Sequence, residues 1–200
     1  MRARMAIAVS GVEVELREIV LRDKPAEMLE VSPKGTVPVL LMPSGCVIDE
    51  SFLIMQWALN HADPQEWFVP HLENSDAVDA LIAACDGEFK FHLDRYKYAS
   101  RYEGAVASDH RAEACRFLRQ LEQQFAENSF LFGDRSSLAD FAIMPFVRQF
   151  ANVDRNWFDE TPFEKLRAWL EGMLVSGVFV GVMKKYPRWQ VGQAPVLFPG

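Results

Sequence analysis

Apolar and polar residues alternate over residues 12–19, where Val12, Val14, Leu16 and, after a slip, Ile19 are interleaved with Glu13, Glu15 and Arg17. A period of two predicts a half-buried strand. Residues 1–10 are helix formers with no N-cap before them, and Gly11 closes that stretch. A short helical segment around Pro25 to Glu30 and a loop at Ser32-Pro33-Lys34-Gly35 follow. Val37 to Met42 reads as a buried strand, Pro43-Ser44-Gly45 as a hairpin turn, and Cys46 to Ile48 as the partner strand. From Glu50 to His61, Phe52, Leu53, Ile54, Met55 and Leu59 suit a helix. The predicted order is α-β-α-β-β-α.

Residues 63–74 hold two prolines and no periodicity, so they read as a linker. Beyond it the period becomes helical: Val78, Leu81, Ile82, Cys85, Phe89, Leu93 and Tyr96 recur at three- and four-residue spacing. Further helices are predicted over Ala112 to Phe125, Leu138 to Phe150, Phe163 to Leu174 and Val178 to Tyr186. The expected organisation is an α/β domain over residues 1–62, the linker, and an all-helical domain over residues 75–200.

Composition narrows the function classes. In 200 residues, 21 Lys and Arg stand against 28 Asp and Glu, a formal charge of -7. That sign disfavours a sequence-independent nucleic-acid binder. The apolar stretch Met173 to Met183 falls short of the roughly 20 residues of a membrane span, and no secretory signal is visible. Cys46, Cys85 and Cys115 are too few for a disulfide framework, which fits a reducing compartment and predicts a cytoplasmic protein. His61, His71, His92 and His110 show no metal-ligand spacing, so no metal site is expected. Cys85 and His92 share a predicted helix face.

Three motifs carry chemistry. In Ser32-Pro33-Lys34-Gly35-Thr36-Val37-Pro38-Val39-Leu40, a proline inside a strand-like run belongs at a strand's first residue or its edge. A cis Val37-Pro38 bond would leave the backbone of Val37 open to an extended peptide, whereas a trans proline would simply start the strand. In Asp49-Glu50-Ser51-Phe52 the hairpin gives way to a helix N-terminus. Free N–H groups there attract a carboxylate, Ser51 adds a hydroxyl, and Glu50 can receive an ammonium. Plain capping by Asp49 or Ser51 is the alternative. In Ser137-Leu138-Ala139-Asp140, Ser137 and Asp140 have the spacing of a capping box.

Taken together, Pro-x-Gly-x-Val-Pro-x-Leu, hairpin, Asp-Glu-Ser, helix, linker and helical domain resemble the cytosolic glutathione transferase superfamily, bacterial type. The likeness runs the length of the chain and includes Met183-Lys184-Lys185-Tyr186-Pro187-Arg188-Trp189, which looks like the family's last helix. It implies a thioredoxin-like N-terminal domain, homodimerisation, no tightly bound cofactor, and glutathione as co-substrate with a small hydrophobic electrophile. Val37, before Pro38, would hydrogen-bond the cysteinyl backbone of glutathione. Glu50 and Ser51 would hold its γ-glutamyl group, and Lys34 lies where some relatives meet the glycyl carboxylate. Tyr96 would border the acceptor pocket, with core packing as the alternative. Ser137 and Asp140 would serve folding.

The family's catalytic Ser, Tyr or Cys sits at the end of the first strand or the start of the first helix, where it favours the thiolate. The pattern here begins inside that helix, so the first strand and the catalytic turn are expected upstream of Met1. The thioredoxin-like domain is then expected to lack its first strand, leaving the remaining strands to pair directly or with a partner chain. The resemblance leaves a second reading open: a non-catalytic binding or regulatory module on the same fold.

Overall fold

The structure, a computed structural model, describes residues 1–200 and divides into two units, Met1–Glu66 with Gly177–Gly200, and Trp67–Ser176. The first unit opens with helix α1 (Arg2–Ser10), which buries Met5 and Ala6. Gly11 ends it in the left-handed region at φ 69°, donating its N–H to Ile7 O at 3.1 Å. Strand β1 (Val14–Glu15), helix α2 (Ala26–Val31), strands β2 (Leu40–Leu41) and β3 (Val47–Ile48) and helix α3 (Ser51–His61) follow in the predicted order. Helix α3 packs Ile54, Met55, Ala58 and Leu59 inward, and α1 lies against it.

The strands form two separate pairs. β2 and β3 make the predicted antiparallel hairpin, with Leu40 opposite Ile48 and Leu41 opposite Val47. β1 pairs instead with the chain's own closing strand (Leu197–Phe198), Val14 opposite Phe198 and Glu15 opposite Leu197. Leu16 N–H extends that ladder to Val196 O at 2.7 Å. Direct pairing of β1 with the hairpin does not occur: the closing residues occupy its edge.

The final helix stops short of its predicted end at Tyr186. Only Gly177–Val182 is helical, and residues 184–189 run without regular structure. Pro187 has no N–H to give a helix and disfavours helical geometry at Tyr186. The segment is fastened to residues 18–23 instead, through Trp189 N–H to Glu18 O at 2.8 Å and Arg188 to the Asp23 carboxylate at 2.6 Å.

The second unit is all helical. Within the predicted linker, Trp67 is already buried in this unit, stacked on Phe141 with centroids 3.7 Å apart, and helix α4 spans Val69–Glu73. Helix α5 (Ser75–Ala84) runs through a π-helical turn (Cys85–Phe89) into α6 (Lys90–Lys97). Helices α7 (Ala107–Gln124), α8 (Leu138–Ala151), α9 (Arg155–Asp159) and α10 (Glu164–Leu174) complete it. The closing helix α11 (Gly177–Val182) and strand β4 (Leu197–Phe198) belong to the first unit, so the helical unit ends at Ser176 rather than at the last residue.

Asp140 is fully buried at the start of α8, where the capping box forms. One carboxylate oxygen accepts the N–H and hydroxyl of Ser137, both at 2.8 Å. The other accepts Leu131 N–H at 3.0 Å and the indole N–H of Trp169 at 2.8 Å. Burial pushes this carboxyl up, and the four donors oppose that. The residue ties α8, α10 and the preceding loop together, a role in folding.

Candidate functional site

The loop before β2 and the start of α3 come together in the first unit. The Val37–Pro38 peptide is cis, which decides between the two sequence alternatives. Val37 is 46% exposed, and neither its N–H nor its C=O takes part in a backbone hydrogen bond. Glu50 is the N-cap residue of α3, its C=O accepting Ile54 N–H at 3.0 Å. No side chain caps this helix. The plain capping role open to Asp49 or Ser51 is therefore not taken up, and the N–H groups of the first turn keep their donor capacity.

Lys34 reaches across the loop and forms an ion pair with the Glu50 carboxylate. Its hydrogen bond to Glu50 holds the Lys34 ammonium above the ordinary lysine range. The sequence placed these two residues at opposite ends of a ligand; the fold puts them in contact, with both side chains exposed. Glu50 thus holds the Lys34 ammonium beside an uncapped helix N-terminus. Such an arrangement suits a zwitterionic amino-acid group, with its carboxylate on the α3 amides and Ser51 and its amine on Glu50.

The other singled-out residues lie elsewhere. Tyr96 is buried in the helical unit, 5.2 Å from the Phe150 ring centre, with no hydrogen-bond partner for its hydroxyl. The Arg111 guanidinium leans over the ring at 5.9 Å; burial pushes the phenol up, and Arg111 opposes that. This burial favours the packing alternative. Cys46 is exposed at the hairpin, while Cys85 and Cys115 are buried, and burial raises the Cys115 thiol. Arg4 is paired with Glu18 and lies over Tyr186. An open cleft of about 480 Å³ lies among Phe125, Phe130, Phe141, Trp169 and Met173 and involves none of the residues of the first-unit site.

Against known proteins, a sequence model of the glutathione S-transferase N-terminal domain matches residues 1–67, and one of the C-terminal domain matches residues 76–172. A probable glutathione S-transferase GSTU1 of Oryza sativa subsp. japonica is 30% identical over 211 residues, 92% of this chain and 90% of its own length. The chain belongs to the glutathione S-transferase family. Glutathione S-transferase omega-1 of Rattus norvegicus is 26% identical, over 86% of this chain and 70% of its own. Among solved glutathione transferases, the URE2P6 enzyme from Phanerochaete chrysosporium, in complex with oxidized glutathione, superposes with a TM-score of 0.74 at 19% identity. That match covers 91% of this chain and 88% of the other. A poplar glutathione transferase F1 mutant gives 0.75 at 18% identity, over 91% and 90%. These likenesses establish the glutathione S-transferase fold, thioredoxin-like unit followed by helical unit. No helix is long and apolar enough to cross a membrane.

One feature of this family member escapes sequence spacing. His92 of α6 and His110 of α7 meet with their Nδ1 atoms 2.8 Å apart. The predicted shared face of Cys85 and His92 does not form, because the π-helical turn between them shifts the helix phase. Cys85 points into the core and His92 toward α7.

Proposed function

We propose that the first unit binds glutathione and that the protein transfers it to a small hydrophobic electrophile or exchanges it with a disulfide. In this reading the Val37 backbone, next to Pro38, pairs with the cysteinyl peptide. The α3 amides and Ser51 receive the γ-glutamyl carboxylate, and Glu50 receives the amine. Lys34, displaced from Glu50 by that amine, is left to meet the glycyl carboxylate. The observation that carries the reading is the start of α3: no side chain caps it, and the adjacent carboxylate already holds an ammonium group.

The ionised thiol would attack the electrophilic carbon, displacing its leaving group with the bonding electrons, or a disulfide sulfur, breaking the S–S bond and releasing the other sulfur as a thiolate. No residue of 1–200 is assigned to activating it. A cytoplasmic homodimer without a tightly bound cofactor completes the proposal. Retention on immobilised glutathione, together with conjugation of a model electrophile, tests it. Retention with turnover supports a transferase, retention alone supports the non-catalytic binding module, and passage straight through the resin overturns the site at Val37, Glu50 and Ser51.

A further inference from the structure

Three potential metal ligands of the helical unit come together, and a fourth, His110, adjoins them through His92. Glu88 comes from the π-helical turn, His92 from α6, and His110 and Glu113 from α7. One ligand atom each from Glu88, His92 and Glu113 lies within 4.8 Å of the others. His110 stands outside that mutual distance and joins the group through His92, its Nδ1 2.8 Å from that of His92. Each helical arm thus supplies one imidazole and one carboxylate, at i, i+4 on the first and i, i+3 on the second.

The local chemistry fits a cation better than it fits the four side chains alone. Two imidazole nitrogens face each other at a distance that accommodates one hydrogen, so protonating both rings sets two N–H groups against one another. The Glu88 carboxylate makes no hydrogen bond or ion pair. Glu113 has only an exposed pair with Arg116 at 2.9 Å, a contact worth little in water. Arg95 does not fill the site, because its guanidinium stacks over Phe91 at 3.5 Å and Tyr102 at 4.4 Å. Phe91 in turn meets both imidazoles edge-on, at 5.0 and 6.0 Å, and screens one side of the pair.

We propose that Glu88, His92, His110 and Glu113 form a binding site for a borderline first-row divalent cation of the zinc class. Two neutral imidazoles and two carboxylates are a donor set such ions accept, and the two carboxylates neutralise the charge. Tetrahedral ligands about 2.0–2.2 Å from an ion lie roughly 3.3–3.6 Å from one another. The imidazole nitrogens must therefore part slightly, the carboxylates close in and His110 swing toward them, movements within reach of rotation of exposed and half-buried side chains. Four protein ligands from two helical arms make this a clip between α6 and α7. Binding the folded chain alone, the ion raises its stability. The hard cations Mg²⁺ and Ca²⁺ prefer all-oxygen sites and are disfavoured.

Cobalt is the direct probe, because its visible d–d absorption reports ligation. The full chain, freed of metal by chelation and carrying Cys46→Ser to remove the exposed thiol, is titrated with Co²⁺ near neutral pH. One equivalent should bind, Zn²⁺ should displace it, and Zn²⁺ but not Mg²⁺ should raise the Tm. His92→Asn with His110→Asn should weaken Co²⁺ binding by at least about tenfold and abolish the Zn²⁺ effect on Tm. Glu88→Gln, a change at an exposed residue, serves as the second variant if the double one fails to fold, and should also weaken binding. Absence of saturable uptake, uptake unchanged in these variants, or an equal Tm rise with Mg²⁺ would overturn the proposal.

Discussion

The Glu50 carboxylate already carries an ammonium group, that of Lys34, so any amine arriving at the start of α3 competes with a charge of its own kind. Neutralising Glu50 while keeping its shape removes the charge-assisted part of that contact. Glu50→Gln is therefore expected to weaken glutathione binding by about tenfold or more, the scale of a hydrogen bond to a charged group. Ser51→Ala removes one neutral donor from a site that retains its backbone amides, and its expected loss is smaller. Isothermal titration of both variants with glutathione checks the order. Equal losses would mean that Glu50 contributes shape rather than charge. At this scale the candidate site is largely legible in the sequence, because Pro38, Glu50 and Ser51 are adjacent to the backbone features they use. The Lys34–Glu50 contact is not legible: the partners lie sixteen positions apart across a loop and hairpin, and only the fold brings them together.

Between elements, α6 and α7 meet through His92 and His110. Burial first, and the neighbouring His110 second, push the His92 imidazole below the ordinary histidine range, with Arg95 adding to the fall and Glu113 and Glu88 opposing it. The unfolded imidazole takes up a proton near pH 6.5, while the folded one holds out to lower pH. Stability is therefore complete above about pH 6.5 and declines as the pH falls toward and through the folded value. Thermal melts in chelator should show Tm dropping over that range, and His92→Gln should flatten the drop. A profile unchanged by the substitution would place the titration elsewhere. The carboxylates of Asp159, beside Arg155, and Glu15, beside Arg17, are held below their usual range and belong to a separate, more acid transition. Elements whose boundaries rest on local chemistry can be read from the chain: Gly11 ending α1, Pro43-Ser44-Gly45 turning the hairpin, Ser137 and Asp140 opening α8. The π-helical turn cannot, since Cys85 and Phe89 still fall on an ordinary helical apolar spacing and nothing but Gly87 marks the widened turn.

For the whole molecule, the order of the two units is visible in the switch from alternating to helical periodicity, but their membership is not. The pairing of Leu197–Phe198 with Val14–Glu15 joins residues at opposite ends of the chain. Sequence periodicity carries no information over such a span, and Met183 to Trp189 passes for a helix until Pro187 is weighed. Removing residues 191–200 takes away β4 and the Val196 acceptor, so the Leu16 amide should exchange with solvent faster. Amides of α8, in the other unit, should keep their protection. Hydrogen exchange read by NMR on the full and shortened chains checks this, and uniform loss of protection would mean that the two units open together.

The chain leaves the first unit at Glu66 and returns to it at Gly177, so the helical unit is nested within the first rather than appended to it. Recombination among relatives inherits that arrangement. A single crossover after Glu66 would give the first unit a foreign α11 and a foreign partner for β1. A chimera that exchanges the helical unit and leaves every edge of the first unit with its native neighbour needs two joints, one near Glu66 and one near Ser176.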